Sequence, residues 1–465
     1  MTNRKNNGKP NILWLVLDCG RFDRISAHGY HRATTPNLDR LITEGLDFTN
    51  AYSAAVWSLP SYTSLLTGLY PREHGVNVSG NSLSADVEPL SQKLAQGGYT
   101  TACFSNNAWL SPSYGMDAGF GSFSQMWFSA QKNVAAKAKF LFDRGVGYLS
   151  NEADKGARRT NHELIRWLKE QNEETPFFAF VAYVEPHAPQ SIYKRSLSKM
   201  GLSNYQAVNP EPISSSMWVE CLPAKYDFSD AFLEDLNLRY DSEMFYLDQK
   251  IGLLLDRLSA EGMLDNTVVI ITADHGELLG EHDMLGHQFS VHEKLRHVPL
   301  IIWAPNIWQQ SHQINDVVQT LDIGASICQW ADVSPLSRAE SCYCLPEQSG
   351  RGERTLAFTD YPEPYLQAVR RRYPNVDLSR IEVGLTCVSN ANYKVTMDSA
   401  GKFWGIDIQN DPDEKCALQI DSEPILINLQ KQLFQFIEGM PTITIGDNDI
   451  PKELESHLRA LGYLA

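Results

Sequence analysis

Residues 11–20 read NILWLVLDCG, and the character of this stretch decides the fold. Six apolar residues, Ile12 to Leu17, follow Pro10 and Asn11 without a polar interruption. A strand with one wet face alternates polar and apolar residues, whereas a strand covered on both faces does not. The run therefore predicts a buried strand of a mainly parallel sheet. Three stretches share its character: PFFAFVAY at 176–183, TVVIITAD at 267–274 and PLIIWAP at 299–305. Helical patterns lie between them. Thr35-Pro36-Asn37-Leu38 opens one, with Thr35 as cap and Leu38, Leu41 and Ile42 at helical spacing. SLPSYTSLLTG at 58–68 reads as a turn into a helix, with Pro60 in the first turn and Gly68 as the stop. Tyr240, Met244, Leu247, Ile251, Leu254 and Leu258 recur at steps of three and four and predict a helix over 240–258. Strands alternating with helices predict an α/β fold, a large mixed but mainly parallel sheet sandwiched by helices.

The stretch 187–235 is rich in Ser, Pro, Lys and Tyr with little period, and is expected to be an irregular insertion near a cleft. Composition changes again at 333–353. Short strand-like pieces follow at 382–388 and 392–397, then a helical tail at 450–463. The expected division is a catalytic α/β domain over 1–335 and a smaller α+β subdomain over 336–465, with short antiparallel strands and a terminal helix. The 465 residues are 43% hydrophobic and 21% charged, which excludes a disordered chain and a collagen-like repeat. A net charge of −16 repels phosphate backbones and argues against nucleic acid as a partner, while leaving room for a local pocket that holds a small anion. No apolar run approaches the ~20 residues of a membrane span. The opening MTNRKNNGKP lacks a basic-then-apolar export pattern, so a cytoplasmic location is expected. Reduced thiols are then expected for the eight cysteines, of which only Cys342 and Cys344 are close in sequence.

In parallel α/β sheets, ligands bind beyond the carboxyl ends of the strands. Asp18 ends the first strand, and Asp274 and His275 end another. His187 follows a third. Ser58 stands at the start of a helix, where backbone N–H groups favour an anion. Each has a plainer reading: strand-end aspartates and a serine before proline cap helices, and His187 between prolines can be a loop residue. His282, His287, His292 and His297 recur every five residues, which fits neither helix nor strand and suits packed or solvated side chains. The adjacent Asp274-His275 pair, straight after a β-rich run, is the hardest to assign to folding alone.

These residues sit within longer motifs: NILWLVLDCGR, TTPNLDRLITEGLDFTNAYS, SLPSYTSLLTGLYPREHGV, ADHGELLGEH and GHQFSVHEKLRHVPLIIWAP. GYTTACFSNN, FFAFVAYVEPHAP, YKV at 393–395, DIQNDPDEKCAL at 407–418 and LRALGYLA extend the pattern over nearly the whole chain. Together they resemble the sulfatase family of the alkaline-phosphatase superfamily. The resemblance implies a divalent metal held by Asp18, Asp274 and His275 and touched by Ser58. It implies Ser58 as the nucleophile, through a covalent intermediate, and His187 as the histidine that contacts ester oxygens. His287 falls where many sulfatases carry a substrate-binding lysine. The substrate implied is a small anionic ester; a homo-oligomer stays open.

The departures narrow that picture. Cys19 stands where typical sulfatases have a second aspartate, and Tyr62 where the formylglycine motif has arginine. The family's Gly-Lys-x-His reads Ser105-Asn106-Asn107-Ala108, which makes Asn106 a substrate-binding candidate that puts an amide in place of a cation. His275 replaces an asparagine and favours Mn²⁺ or Zn²⁺ over Ca²⁺ or Mg²⁺, which stay open. The expected enzyme is a metal-dependent hydrolase of sulfuric or phosphoric esters, leaning to phosphodiesters and phosphonates. A transferase to an acceptor alcohol and a non-catalytic protein on a decayed sulfatase scaffold remain as alternatives.

Overall fold

Asn11–Leu17 forms β1, and all seven residues are buried. In the computed structural model the described residues are 8–76, 82–126, 154–208, 212–213, 228–307, 311–336 and 354–441, with short breaks between 363 and 380 and three further residues up to 458. β1 lies inside an eight-stranded sheet with β2 (Leu46–Tyr52), β3 (Thr100–Ser105), β4 (Ser122–Gln125), β5 (Phe177–Tyr183), β6 (Thr267–Ala273), β9 (Leu300–Trp303) and β10 (His312–Gln319). The order is β10-β2-β9-β6-β1-β5-β3-β4, while β7 (Leu278–Leu279) and β8 (Leu285–Gly286) pair with each other in a separate two-stranded sheet. β5 and β6 flank β1 in parallel, so that Leu15 lies opposite both Val181 and Ile271. β9 runs antiparallel to β2 and β6, which makes the sheet mixed.

The helices are α1 (Pro36–Glu44), α2 (Ser58–Thr67), α3 (Pro71–His74), α4 (Leu90–Gln96), α5 (Ala157–Lys169), α6 (Lys194–Lys199), α7 (Asp230–Ala260), α8 (Glu293–Arg296), α9 (Thr320–Trp330) and α10 (Pro424–Glu438). α1, α5 and α6 pack on α7, while α2, α4 and α9 pack together. α7 begins ten residues before its periodic stretch. Ser229 caps it by accepting from Phe232 N–H, and its first turns are held by ions, with Arg32 on Glu234 at 2.7 Å. Phe232, Leu233 and Leu236 continue the helical spacing from Tyr240 back to this earlier start, and Leu236 is buried. No described helix is long and apolar enough to cross a membrane.

Part of the 187–235 stretch is ordered: α6 lies within it, and Gln190 and Ile213 exchange backbone hydrogen bonds. Its residues 209–211 and 214–227 lie outside the described residues, as do most of the 450–463 tail and Cys221, Cys342 and Cys344.

β11 (Ala357–Tyr361), β12 (Leu385–Ser389), β13 (Tyr393–Asp398) and β14 (Phe403–Asp407) form a second, antiparallel sheet in sequence order. α10 covers it, and Val388, Val395, Leu426, Leu429 and Leu433 make its small core. Buried ions tie this sheet to the large one. Arg296 donates to Thr359 Oγ1 at 3.0 Å and its guanidinium sits over the Tyr52 ring. Lys394 Nζ donates to Val291 O at 3.0 Å and pairs with Glu414.

Candidate active site

The site grows from two neighbouring strand ends. Asp18 extends β1 by one hydrogen bond, its N–H donating to Tyr183 O at 3.0 Å. The chain then leaves the sheet through Cys19 at φ 63°, and the Cys19 N–H donates to Asp274 Oδ1 at 3.2 Å. Asp274 follows β6. Its carbonyl accepts from the Ser53 and Ser61 hydroxyls at 2.5 and 2.6 Å. The strand end is thereby stitched to β2 and α2, which bring up Ser58.

His275 Nδ1 lies 2.8 Å from Gly276 O. A carbonyl only accepts, so Nδ1 carries the proton and Nε2 presents its lone pair. Nε2 lies 3.2 Å from Ser58 Oγ, 3.3 Å from Asp274 Oδ2 and 3.9 Å from Asp18 Oδ1. All four side chains are buried. Ser58 starts the ten-residue helix α2, so its hydroxyl sits at the positive end of the helix dipole.

His187 follows β5 through the cis Glu185–Pro186 bond, and its Nδ1 donates to Ala188 O at 2.5 Å. Its ring lies 5.0 Å from that of His287, which lies 4.5 Å from that of His275. Three imidazoles thus line up beside the two carboxylates. His287 Nδ1 meets Glu277 Oε1 at 3.2 Å. Burial, with help from His287, lowers His187 to about 3, so it is neutral at pH 7. Burial likewise lowers His275 and His287.

The structure brings Asp18, Ser58, Asp274 and His275 together, with His187 and His287 alongside. Asn106 sits apart from them. Its amide donates to Thr160 Oγ1 at 2.9 Å and lies against Gly156. The next residue, Asn107, faces the site, and its Nδ2 donates to Asp18 Oδ2 at 2.5 Å. The two adjacent amides thus lie in different surroundings, Asn106 against Thr160 and Asn107 against Asp18. Sequence reasoning also missed Lys155, whose Nζ donates to His187 O and pairs with Glu243 at 2.5 Å. Its sequence context, a polar stretch before a helix, carries no signal for that role. Tyr62, at the motif's arginine position, is fully buried, and its hydroxyl beside Asp274 favours the charged carboxylate.

Burial pushes Asp274 up to about 8, and burial together with the Asp274 charge raises Asp18. Two carboxylates and an imidazole placed this way fit a divalent cation, whose charge would restore the ionised forms. One ligand atom from each of Asp18, Asp274 and His275 lies within 4.8 Å of the others, and Cys19 with His275 and His287, and Asp18 with Cys19 and His187, form overlapping groups of the same kind.

Comparison with known proteins agrees with this architecture. An arylsulfatase of Clostridium perfringens is 24% identical over 371 residues, spanning 70% of this chain and 76% of its own. Arylsulfatase K of Bos taurus is 24% identical across 96% of this chain and 84% of its own. Among solved structures, the phosphonate monoester hydrolase of Agrobacterium radiobacter shares the fold with a TM-score of 0.73 at 21% identity, over 92% of this chain and 96% of that one. The Sulfatase family model matches residues 10–333, so the chain belongs to the sulfatase family of sulfuric and phosphoric ester hydrolases.

Proposed function

We propose that this hydrolase is metal-dependent, uses Ser58 as its nucleophile and favours phosphodiesters or phosphonate monoesters over sulfates. The observation that carries the reading is the Ser58 hydroxyl 3.2 Å from the His275 lone pair, at the rim of the Asp18, Asp274 and His275 group. Those three residues would hold a divalent cation, which when bound supplies positive charge to polarise the ester and stabilise the serine oxygen as an alkoxide. Ser58 Oγ attacks phosphorus and forms a phosphoserine ester as the leaving alcohol departs. His187 holds its proton at Nδ1 and has none to give at Nε2. An anionic ester beside it favours the imidazolium, which can then donate to the leaving oxygen. His287 stands beside His187 as a second contact for the anion. A small-molecule anionic ester is the partner that this cluster of two carboxylates, a serine and three histidines suits. The division at residue 335 between a catalytic domain and a C-terminal subdomain belongs to the same proposal.

The lean towards phosphorus rests on Ser58 and Tyr62. A formylglycine hydrate expels sulfate by collapse of its second hydroxyl, and an unmodified serine has no such hydroxyl. A serine sulfate would therefore stall after one turnover, whereas a phosphoserine can be hydrolysed. Tyr62 removes the arginine on which the modification signal depends.

The test is a panel of nitrophenyl sulfate, phosphate, phosphodiester and phosphonate, each with Mn²⁺, Zn²⁺, Mg²⁺ and Ca²⁺, alongside the intact mass of the Ser58 peptide. Unmodified serine and a higher kcat/KM on a phosphorus ester are expected. Loss of two hydrogens at Ser58 with sulfate preferred would overturn the reading. Ser58→Ala should lower turnover by several orders of magnitude while the fold persists.

A further inference from the structure

We infer that Cys19 is a ligand of the cation held at the strand ends, making a thiolate-containing centre that selects zinc-like metals over Ca²⁺ and Mg²⁺. The inference rests on the metal-bound reading of the site and goes beyond it, since it concerns the one residue that replaces a hard oxygen donor with a soft sulfur donor.

Cys19 is fully buried and not an incidental neighbour of the cluster. Its Sγ lies 3.5 Å from Asp18 Oδ1, 3.6 Å from His287 Nδ1 and 3.8 Å from His275 Nδ1. Two donors sharing one tetrahedral zinc, with S at about 2.3 Å and O or N at about 2.0 Å, stand roughly 3.5 Å apart. The spacing of Sγ from the Asp18 oxygen is the spacing of co-ligands. Cys19 also joins two of the three groups of metal-capable side chains found among the described residues, and shares Asp18 or His275 with the third.

The backbone holds the sulfur there. The φ of 63° at Cys19 turns the chain away from β1, and its N–H is fixed on Asp274 Oδ1. Tyr240 Oη donates to Cys19 O at 2.6 Å, so α7 secures the same residue from the other side. A purely structural cysteine packs among apolar atoms. This one faces two carboxylates and two imidazoles. Thiolate ligands favour Zn²⁺ over the oxygen-seeking Mg²⁺ and Ca²⁺.

The experiment uses full-length protein in which Cys221, Cys342, Cys344 and Cys416 are serine, loaded with one equivalent of Co²⁺ or Zn²⁺. Cobalt should give a near-ultraviolet sulfur-to-metal charge-transfer band that Cys19→Ser abolishes while the visible d–d bands persist. Zinc affinity should fall in Cys19→Ser by at least the roughly 10- to 100-fold that loss of a supporting contact costs. Cys19→Asp should bind Mg²⁺ or Ca²⁺ more tightly than the parent and show no sulfur band. X-ray absorption at the zinc edge of the parent should show a sulfur shell near about 2.3 Å, a result that does not depend on any Cys19 variant folding. Cobalt bound without charge transfer, and zinc with only nitrogen and oxygen neighbours, would overturn the role of Cys19 and leave the metal reading intact. A parent that binds neither metal would overturn both.

Discussion

Asn106 and Asn107 are adjacent in sequence and opposite in environment. Asn106 stabilises the start of α5 through Thr160, while Asn107 steadies the carboxylate of Asp18. Residues that orient a metal ligand typically change metal affinity or activity by about 10- to 100-fold when removed. Asn107→Ala should therefore lower metal affinity and kcat/KM by that order. Asn106→Ala should leave both within a few-fold and lower the melting temperature instead. Metal titration and turnover of the two variants, measured side by side, check this; a larger loss in Asn106→Ala would show that the substrate reaches the Thr160 side. The residues legible in the sequence were those that a strand end must project, Asp18, Asp274 and His275, and the one at a helix start, Ser58. Asn107 was not legible, because nothing in an Asn-Asn pair says which amide turns inward. Cys19 was visible as a departure, yet the three imidazole and carboxylate partners that surround it come from segments over 250 residues away and emerge only in the fold.

At the scale of elements, the inner strands β1, β5 and β6 could be read directly, because burial on both faces leaves an unbroken apolar run. β2 and β10 could not. LDFTNAY mixes polar with apolar residues, and HQINDVVQ is exposed over most of its first five positions as the edge of the sheet. The direction of β9 was equally hidden, since composition does not report whether a strand runs with or against its neighbours. It is set by the return of the chain through α8, which closes on the end of β6. Gly276 marks that closure. Its N–H donates to Leu295 O at 2.7 Å, and a Cβ at this position would lie 1.9 Å from Lys294 O. Backbone cannot yield as a side-chain tip can, so Gly276→Ala should push α8 from β6 and cost about 1–3 kcal/mol. Chemical denaturation measures that cost. Because His275 precedes the glycine, turnover should fall in the same variant even at temperatures where it is fully folded. An unchanged denaturation midpoint would mean that the turn relaxes freely.

Over the whole molecule, the two sheets are joined by apolar contacts, with Tyr361, Leu385 and Cys387 packed into the core of the large sheet and Ala357 against Tyr52 and Val317, and by a set of buried charges. Glu293, Arg296, Lys394 and Glu414 meet at the junction, and both His282 and His292 donate through Nε2 to Asp413 O, at 3.1 and 3.2 Å. The motif 407–418 thus earns its place by holding the loop that carries His287. Such a junction, together with buried neutral histidines, sets the response to acid. Burial lowers His74 to about 3 and His297 to about 4 from the usual 6.5. His74 meets Ser64 Oγ at 3.2 Å, and His297 stacks on Phe22 with centroids 3.9 Å apart and donates to Thr49 O. Both bind a proton more readily unfolded than folded, so their contribution to stability is complete above about pH 6.5 and is lost as the pH falls towards 4 and then 3. Glu293 is held down to about 2 by Arg296 and Lys394 against the cost of burial, so its contribution is lost lower still, as the pH falls below about 4.5. Each of these three groups contributes a fall of up to about 1.4 kcal/mol per pH unit across its own window, set against buried carboxyls such as Glu243, which burial raises to about 7 and which act in the opposite sense. His74→Gln, which takes up no proton on unfolding, should show a shallower fall between pH 6.5 and 3 than the parent. Urea denaturation across that range reads the slope directly, and identical slopes in parent and variant would place the acid sensitivity elsewhere than His74.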